Sequence, residues 1–192
     1  MQIPFEKITV LAWLAWLAYW IWSARGVKRA TRVESTWSRF GKYWLPIMVA
    51  VALMRPLPVF SGTVLDVNFI PSWLWIVWLG LIMTFAGLLF ACWARVILGR
   101  NWSGVVQLKQ DHELIERGPY RFVRHPIYSG LLLAILGTGL MIGEWRALLA
   151  LAIVGISFWR KLRLEERWLG EYFGDAYADY MRRVKALVPW LL

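Results

Sequence analysis

The sequence predicts an all-α integral membrane protein with about five membrane-embedded helices, the last two forming a helical hairpin. Three observations lead there. Apolar residues make up 59% of the 192 positions, against roughly 45–50% in an average soluble domain, and they gather in long runs that require lipid as a solvent. Many of the 15 tryptophans, among them Trp20, Trp22, Trp44, Trp73, Trp145 and Trp159, stand near the ends of those runs, where an amphipathic ring favours the headgroup layer. The net charge of +10 falls between the runs rather than within them.

A helix needs about 20 residues to cross a hydrocarbon layer of ~30 Å. Ile8–Ala24 is uncharged between Lys7 and Arg25. It has no basic leader or small-residue cleavage site, so a retained first helix is expected rather than a signal peptide. The second run, Tyr43–Met54, continues through Arg55 to Phe60. Arg55 should snorkel to an interface, and Pro56 and Pro58 should end or bend the helix. Ser72–Leu98 is the strongest span; at 1.5 Å per residue it would reach about 40 Å, so it should tilt or project near Arg95 and Arg100. Trp78 and Trp93, inside this span, are expected as ordinary core aromatics.

Tyr128–Gly143 and Ala147–Trp159 are short and separated only by Glu144, Trp145 and Arg146. They read as a hairpin that crosses a thinned region or dips in and returns. Gly130, Gly137 and Gly139 would let its backbone approach another closely. The second arm should run on as a polar helix through Glu166. Gly174 can end that helix and Asp175 can cap the next. There Phe173, Tyr177, Tyr180 and Val184 form an apolar stripe that docks on the membrane face or roofs a pocket.

Charge orients the molecule. Nineteen of the 22 Lys and Arg residues lie in segments 25–42, 95–124 and 160–185, which the spans place on one side; Lys7, Arg55 and Arg146 lie on the other. The positive-inside rule puts the N-terminus outside and the C-terminus in the cytosol. The same distribution argues against nucleic acid as the partner and for membrane lipids. Cys92 is the single cysteine, so no intrachain disulfide can form, and inside an apolar run it reads as a small hydrophobe.

The polar clusters fall in the second half, on the basic side. The first, residues 107–128, reads QLKQDHELIERGPYRFVRHPIY and holds both histidines. His112 and His125 are 13 residues apart with no cysteine nearby and no HxxxH or HExxH spacing, so no metal site is expected. Phosphate-cradling loops and the GxSxG elbow are missing from the sequence as well. Arg124-His125-Pro126 opens the hairpin. It serves either as a basic interfacial cap or, with its imidazole and helix N-terminus, as a corner for a charged small molecule. The second cluster sets Lys161, Glu165 and Glu166 among Arg160, Arg163 and Arg167. Lys161 and Glu165 are i,i+4 neighbours. They form either a surface ion pair worth about 0.3–0.5 kcal/mol or two walls of a cavity that binds opposite charges.

These segments in order, HELIERGPYRFVRHPIYSG, a hydrophobic hairpin, EERWLGEYFGDAYADYMRRV and Pro189, with Asn101-Trp102-Ser103 ahead of them, resemble the isoprenylcysteine carboxyl methyltransferase family and its phospholipid methyltransferase relatives. The resemblance covers roughly residues 100–190. It implies a cofactor-binding half in 99–192 carrying the hairpin at 127–159; with the three N-terminal membrane helices that the apolar runs place in 1–98, one membrane methyltransferase domain over 1–192 is expected. It further implies S-adenosylmethionine as cofactor and a lipophilic substrate that enters from the bilayer. Cofactor contacts would fall on Gln107, His112, Glu113, Leu114, Ile115, Tyr120, His125, Pro126, Ile127, Tyr128 and Glu165. At Lys161 the chain departs from the prenylcysteine enzymes, which carry an arginine there for the substrate carboxylate; lysine keeps the charge and loses the bidentate fork. Lys161 and Arg124 are expected to orient a carboxylate acceptor. An amine acceptor, as in phospholipid N-methylation, would have to lose a proton and would make His125 or Glu166 the base. A sterol-type reductase using NADPH carries a loosely similar segment and is a further alternative.

Overall fold

Leucine-, alanine- and tryptophan-rich stretches with few internal prolines leave the backbone one way to satisfy its polar groups without water, the helix. The computed structural model describes residues 5–25, 30–33, 35–102, 107–109 and 113–190, and helices make up most of them. Helix α1 covers Phe5–Ser23. A short α2 (Thr36–Arg39) runs through a π-helical turn, Phe40–Trp44, into α3 (Leu45–Leu53). Then come α4 (Leu74–Leu98), α5 (Pro126–Ile142), α6 (Trp145–Phe173) and α7 (Asp175–Arg183).

Helix α4, extended by a 3₁₀ turn to Asn101, has the length and apolarity to cross a membrane; the apolar segments Phe40–Leu53 and Pro126–Ile142 are shorter. A two-stranded antiparallel ribbon, β1 (Ala30–Val33) with β2 (Gln107–Lys109), is an addition to the all-helical expectation. It ties the segment after α1 to the segment after α4.

The α4–α5 pair is the centre of the bundle, and glycine makes it so. A Cβ on Gly130 would stand 2.6 Å from the Gly87 carbonyl oxygen, and one on Gly137 would stand 2.7 Å from the Thr84 nitrogen. Backbones this close gain dispersion along their whole length. Gly130 and Gly137 therefore serve contact with α4, while Gly139 faces the Ala147 methyl of the hairpin's other arm at 3.4 Å. Across the seam, the Thr84 hydroxyl donates to the Ala134 carbonyl of α5 at 3.3 Å.

The hairpin turn uses Gly143 at φ +74°, and the loop before α4 pairs with it through Phe69 N–H to the Gly143 carbonyl at 2.9 Å. Helix α6 packs on α3 and α5 around Leu53, Tyr128, Ala150, Val154, Phe158 and Leu162. At its N-terminal end the buried Arg146 donates to the Leu53 and Arg55 carbonyls, each at 2.8 Å. The α3 helix ends at Leu53 and does not run to Phe60, because Pro56 and Pro58 lack the N–H a further turn would need. Further along α6, the Ser157 hydroxyl donates to the Lys42 carbonyl at 2.8 Å, within the π-helical turn.

Helix α6 continues past the apolar section through Glu166 to Phe173, as its sequence predicts. Gly174, at φ +56°, ends it and itself caps α7, so Asp175 is the first helical residue rather than the cap. The stripe of Tyr177, Tyr180 and Val184 packs on Phe173, Leu169 and Leu114. Trp78 and Trp93 are not core: they are 41% and 44% exposed on the outer face of α4.

Candidate active site

Where α5 begins, Pro126 occupies its first turn and lacks the N–H that would be orphaned there. This leaves His125 as the N-cap, buried at 8% exposure. The chain after α7 lies alongside. The Arg124 and His125 amides donate to the Lys185 and Ala186 carbonyls at 2.8 and 2.9 Å, and the Ser129 hydroxyl donates to the Leu187 carbonyl at 2.6 Å.

Glu165 and Glu166, consecutive on α6, address the two sides of the imidazole. Glu166 Oε1 lies 3.3 Å from His125 Nε2, and Glu165 Oε2 lies 3.5 Å from Nδ1. The Tyr128 hydroxyl donates to Glu165 Oε1 at 2.7 Å, and its ring stacks on His125 at 5.5 Å between centroids. Arg124 donates to Glu166 Oε1 from Nε at 2.9 Å and from Nη2 at 2.5 Å. Its Nη1 donates to the Val184 carbonyl. The Lys161 ammonium, one helical turn before Glu165, lies 5.3 Å from the Tyr128 ring centroid.

Electrostatics follow from the pairing. Burial alone would lower the His125 pKa, but hydrogen bonds to Glu165 and Glu166 outweigh it and hold the ring charged above its ordinary 6.5. Burial alone would raise both carboxyls. For Glu165 the His125 hydrogen bond and then the Lys161 charge bring the net value below 4.5; for Glu166 His125 and Arg124 do the same. Removing one member of a buried charge set strands the others, at about 3–5 kcal/mol.

The residues read from the sequence converge only in part. Lys161, Arg124, Glu166, His125, Tyr128 and Glu165 come together in one cluster. Tyr120 lies buried beside it, its carbonyl accepting from the Tyr180 hydroxyl at 2.5 Å, and Pro126 is buried at the helix start. Ile127 packs into the α3–α6 core, and Leu114 under α7. Ile115 is half-buried and Glu113 exposed. The Gln107 backbone pairs with Val33 in the ribbon. His112 lies outside the described residues.

What the sequence reading missed is the C-terminal strap, Val184 to Leu187, which holds Arg124, His125 and Ser129 from the far side. Helix α7 ends at Arg183, six residues before Pro189, so the proline does not set that end and no local signal marks the strap.

The helical bundle has a solved counterpart in fold. The eukaryotic intramembrane Ras methyltransferase ICMT, isoprenylcysteine carboxyl methyltransferase, superposes over 83% of this chain and 55% of its own with a TM-score of 0.57 and 21% identity, which establishes a shared fold. The phospholipid methyltransferase family model matches residues 75–176, and the chain belongs to that family. Relatives include protein-S-isoprenylcysteine O-methyltransferase B of Arabidopsis thaliana, 32% identical over 61% of each chain. The protein-S-isoprenylcysteine O-methyltransferase of Schizosaccharomyces pombe is 34% identical over 50% of this chain and 42% of its own. Methanethiol S-methyltransferase 1 of Bradyrhizobium diazoefficiens is 42% identical over 37% of this chain and 24% of its own. The chain spans about three fifths of the length of the first of these and less of the others.

Proposed function

We propose that the chain is an integral membrane methyltransferase. In this reading it uses S-adenosylmethionine to esterify the carboxylate of a lipophilic acid, a prenylcysteine or a close analogue, that arrives through the bilayer. The observation that carries this is the His125–Glu165–Glu166 cluster, set at the α5 N-terminus one turn beyond the Lys161 cation. Family membership favours methyl transfer over the hydride chemistry of a reductase.

The bilayer part rests on apolar surface. Leu11, Leu14, Leu17 and Ile21 of α1, Met48 and Val51 of α3, Ile82 and Leu89 of α4 and Ile156 of α6 are all exposed, a distribution that water would penalise and lipid would not. Five embedded helices, α1, α3, α4, α5 and the first part of α6, account for it. The basic segments meet at one end of the bundle, where Arg95 reaches the Ser23 carbonyl, and Arg146 meets Arg55 at the other. That sorting supports a cytosolic site and C-terminus with the N-terminus outside.

The donor set fits a cofactor with cationic centres and hydroxyls. Of the paired acids, Glu165 is the more open, at 22% side-chain exposure against 8% for Glu166, so it is the one placed to meet a ligand. His125 and Tyr128 present stacked rings beside it. S-adenosylmethionine, when bound, supplies an electrophilic methyl on sulfur. An acceptor carboxylate is already ionised at neutral pH and would need no base to accept the methyl group. What the protein must do is orient two reactants in line and exclude water.

Lys161 holds the acceptor anion. Arg124 is a positioning residue, since its guanidinium is engaged by Glu166 and the strap. Glu166, kept ionised between Arg124 and His125, fixes the ring rather than removing a proton. Purified protein given methyl-labelled cofactor and a prenylcysteine analogue should form a base-labile methyl ester. Label appearing instead on an aminophospholipid, stable to base, would replace this reading with N-methylation.

A further inference from the structure

A hollow lies where α1 and α4 end, and it shares no lining residue with the His125 cluster. It is an open depression of about 340 Å³ between Tyr19, Trp22 and Ser23 on one side and Arg95 and Arg100 on the other, with Arg25 also lining it. Among the described residues, no carboxylate lines it. Arg95 is 4% exposed and unusually placed. Its Nη1 donates to the Gly99 carbonyl at 2.8 Å, its Nη2 to the Ser23 carbonyl, and its guanidinium lies 4.4 Å from the Trp102 ring centroid. Its Nε is buried with no partner among the described residues. Carbonyls and a ring face carry only partial charge, so a buried guanidinium met by no carboxylate among the described residues favours an anion beside it.

We propose that this hollow binds the phosphate of an anionic membrane lipid, held by Arg95, Arg100 and Arg25. A planar guanidinium matches phosphate geometry in two-point contact. Trp22, 63% exposed, and Tyr19 sit at the rim, where aromatic rings meet the glycerol level of a leaflet. Along the same face of α1, four, seven and eleven residues before Trp22, the exposed Ala18, Ala15 and Leu11 offer a shallow track for acyl chains, which a free phosphate would leave unused. The hollow opens on the basic end of the bundle, the side that faces the anionic cytosolic leaflet; the proposal rests on the membrane reading above. Because α1 packs chiefly on α4, a lipid seated here would staple the first helix to the bundle.

The test titrates the full chain in neutral detergent with short-chain phosphatidylglycerol, short-chain phosphatidylcholine and inorganic phosphate, reading the melting temperature. Phosphatidylglycerol should raise it saturably, and the other two should not. The Arg25→Gln/Arg100→Gln variant leaves the buried Arg95 in place to protect folding; it should need about tenfold more lipid per arginine lost. An equal response in the variant, or none in the parent chain, overturns the site. An equal response to inorganic phosphate overturns the lipid as occupant, and one to phosphatidylcholine overturns the anionic selectivity. Extraction of the chain from membranes by alkaline carbonate would sink the bilayer reading on its own, whatever the phosphate response.

Discussion

Glu165 and Glu166 are adjacent in sequence yet face different neighbours. Glu165 accepts from Tyr128 and opens outward, while Glu166 is closed in by Arg124 and His125. Replacing Glu165 with glutamine keeps the shape and removes the charge. Since hydrogen bonds to charged groups contribute about 1.5–3 kcal/mol, S-adenosylhomocysteine should bind at least about tenfold more weakly by calorimetry. Tyr128→Phe, which removes one donor, should cost only a few-fold. Equal affinity in Glu165→Gln and the parent chain would remove Glu165 from the cofactor site.

The imidazole sets a pH window. His125 is raised above 6.5 in the fold, so its contribution is full below that value and disappears as pH climbs through the folded pKa. The two carboxyls are lowered from 4.5, so theirs is full above that value and disappears as pH falls through their folded pKa values. Thermal stability should therefore peak between about 4.5 and 6.5. His125→Gln should flatten the alkaline limb; an unchanged limb would contradict the assigned pairing.

Among the elements, the α4–α5 seam is the least tolerant. Gly130→Val would drive a side chain into the Gly87 backbone, and overpacking of this kind costs about 1–3 kcal/mol. Gly155, where an added methyl would meet nothing within 4 Å, should accept alanine with a gain of up to about 1 kcal/mol. Melting curves of the two variants should move in opposite directions, and matching curves would refute the seam. The seam's glycines were legible in the sequence, and so were the bounds of α4, the long polar run of α6 and the stripe on α7, because periodicity and composition are local signals. Their partner was not: nothing local tells Gly130 whether it meets α4 or α6. The ribbon between 30–33 and 107–109 escaped for the same reason, being three or four residues a side with its pairing set by the helices it joins. Nor does the sequence near Arg124 show its partner: the carboxylate it pairs with lies 42 positions away.

At the scale of the molecule, one cysteine makes topology measurable. In a Cys92→Ala background, Val64→Cys lies in the loop before α4, where Val64 is 74% exposed, and Asp179→Cys lies on α7, where the Asp179 side chain is 49% exposed. A membrane-impermeant maleimide should label Asp179→Cys only in inverted vesicles and Val64→Cys only in right-side-out ones. Labelling of both from one face would break the proposed arrangement.

Helix α6 runs 29 residues without interruption, about 43 Å at the usual rise. Its foot is clamped by Arg146 to the loop beyond α3, and its far half carries the acidic pair. In the proposed membrane arrangement such a rod would act as a lever with its fulcrum at the opposite leaflet. Lengthening the acyl chains of a reconstituted bilayer, which changes the tilt that embedded helices adopt, should swing the carboxylates relative to the imidazole. Turnover should then pass through an optimum in lipid length, while cofactor-free stability of the α4–α5 seam shifts far less.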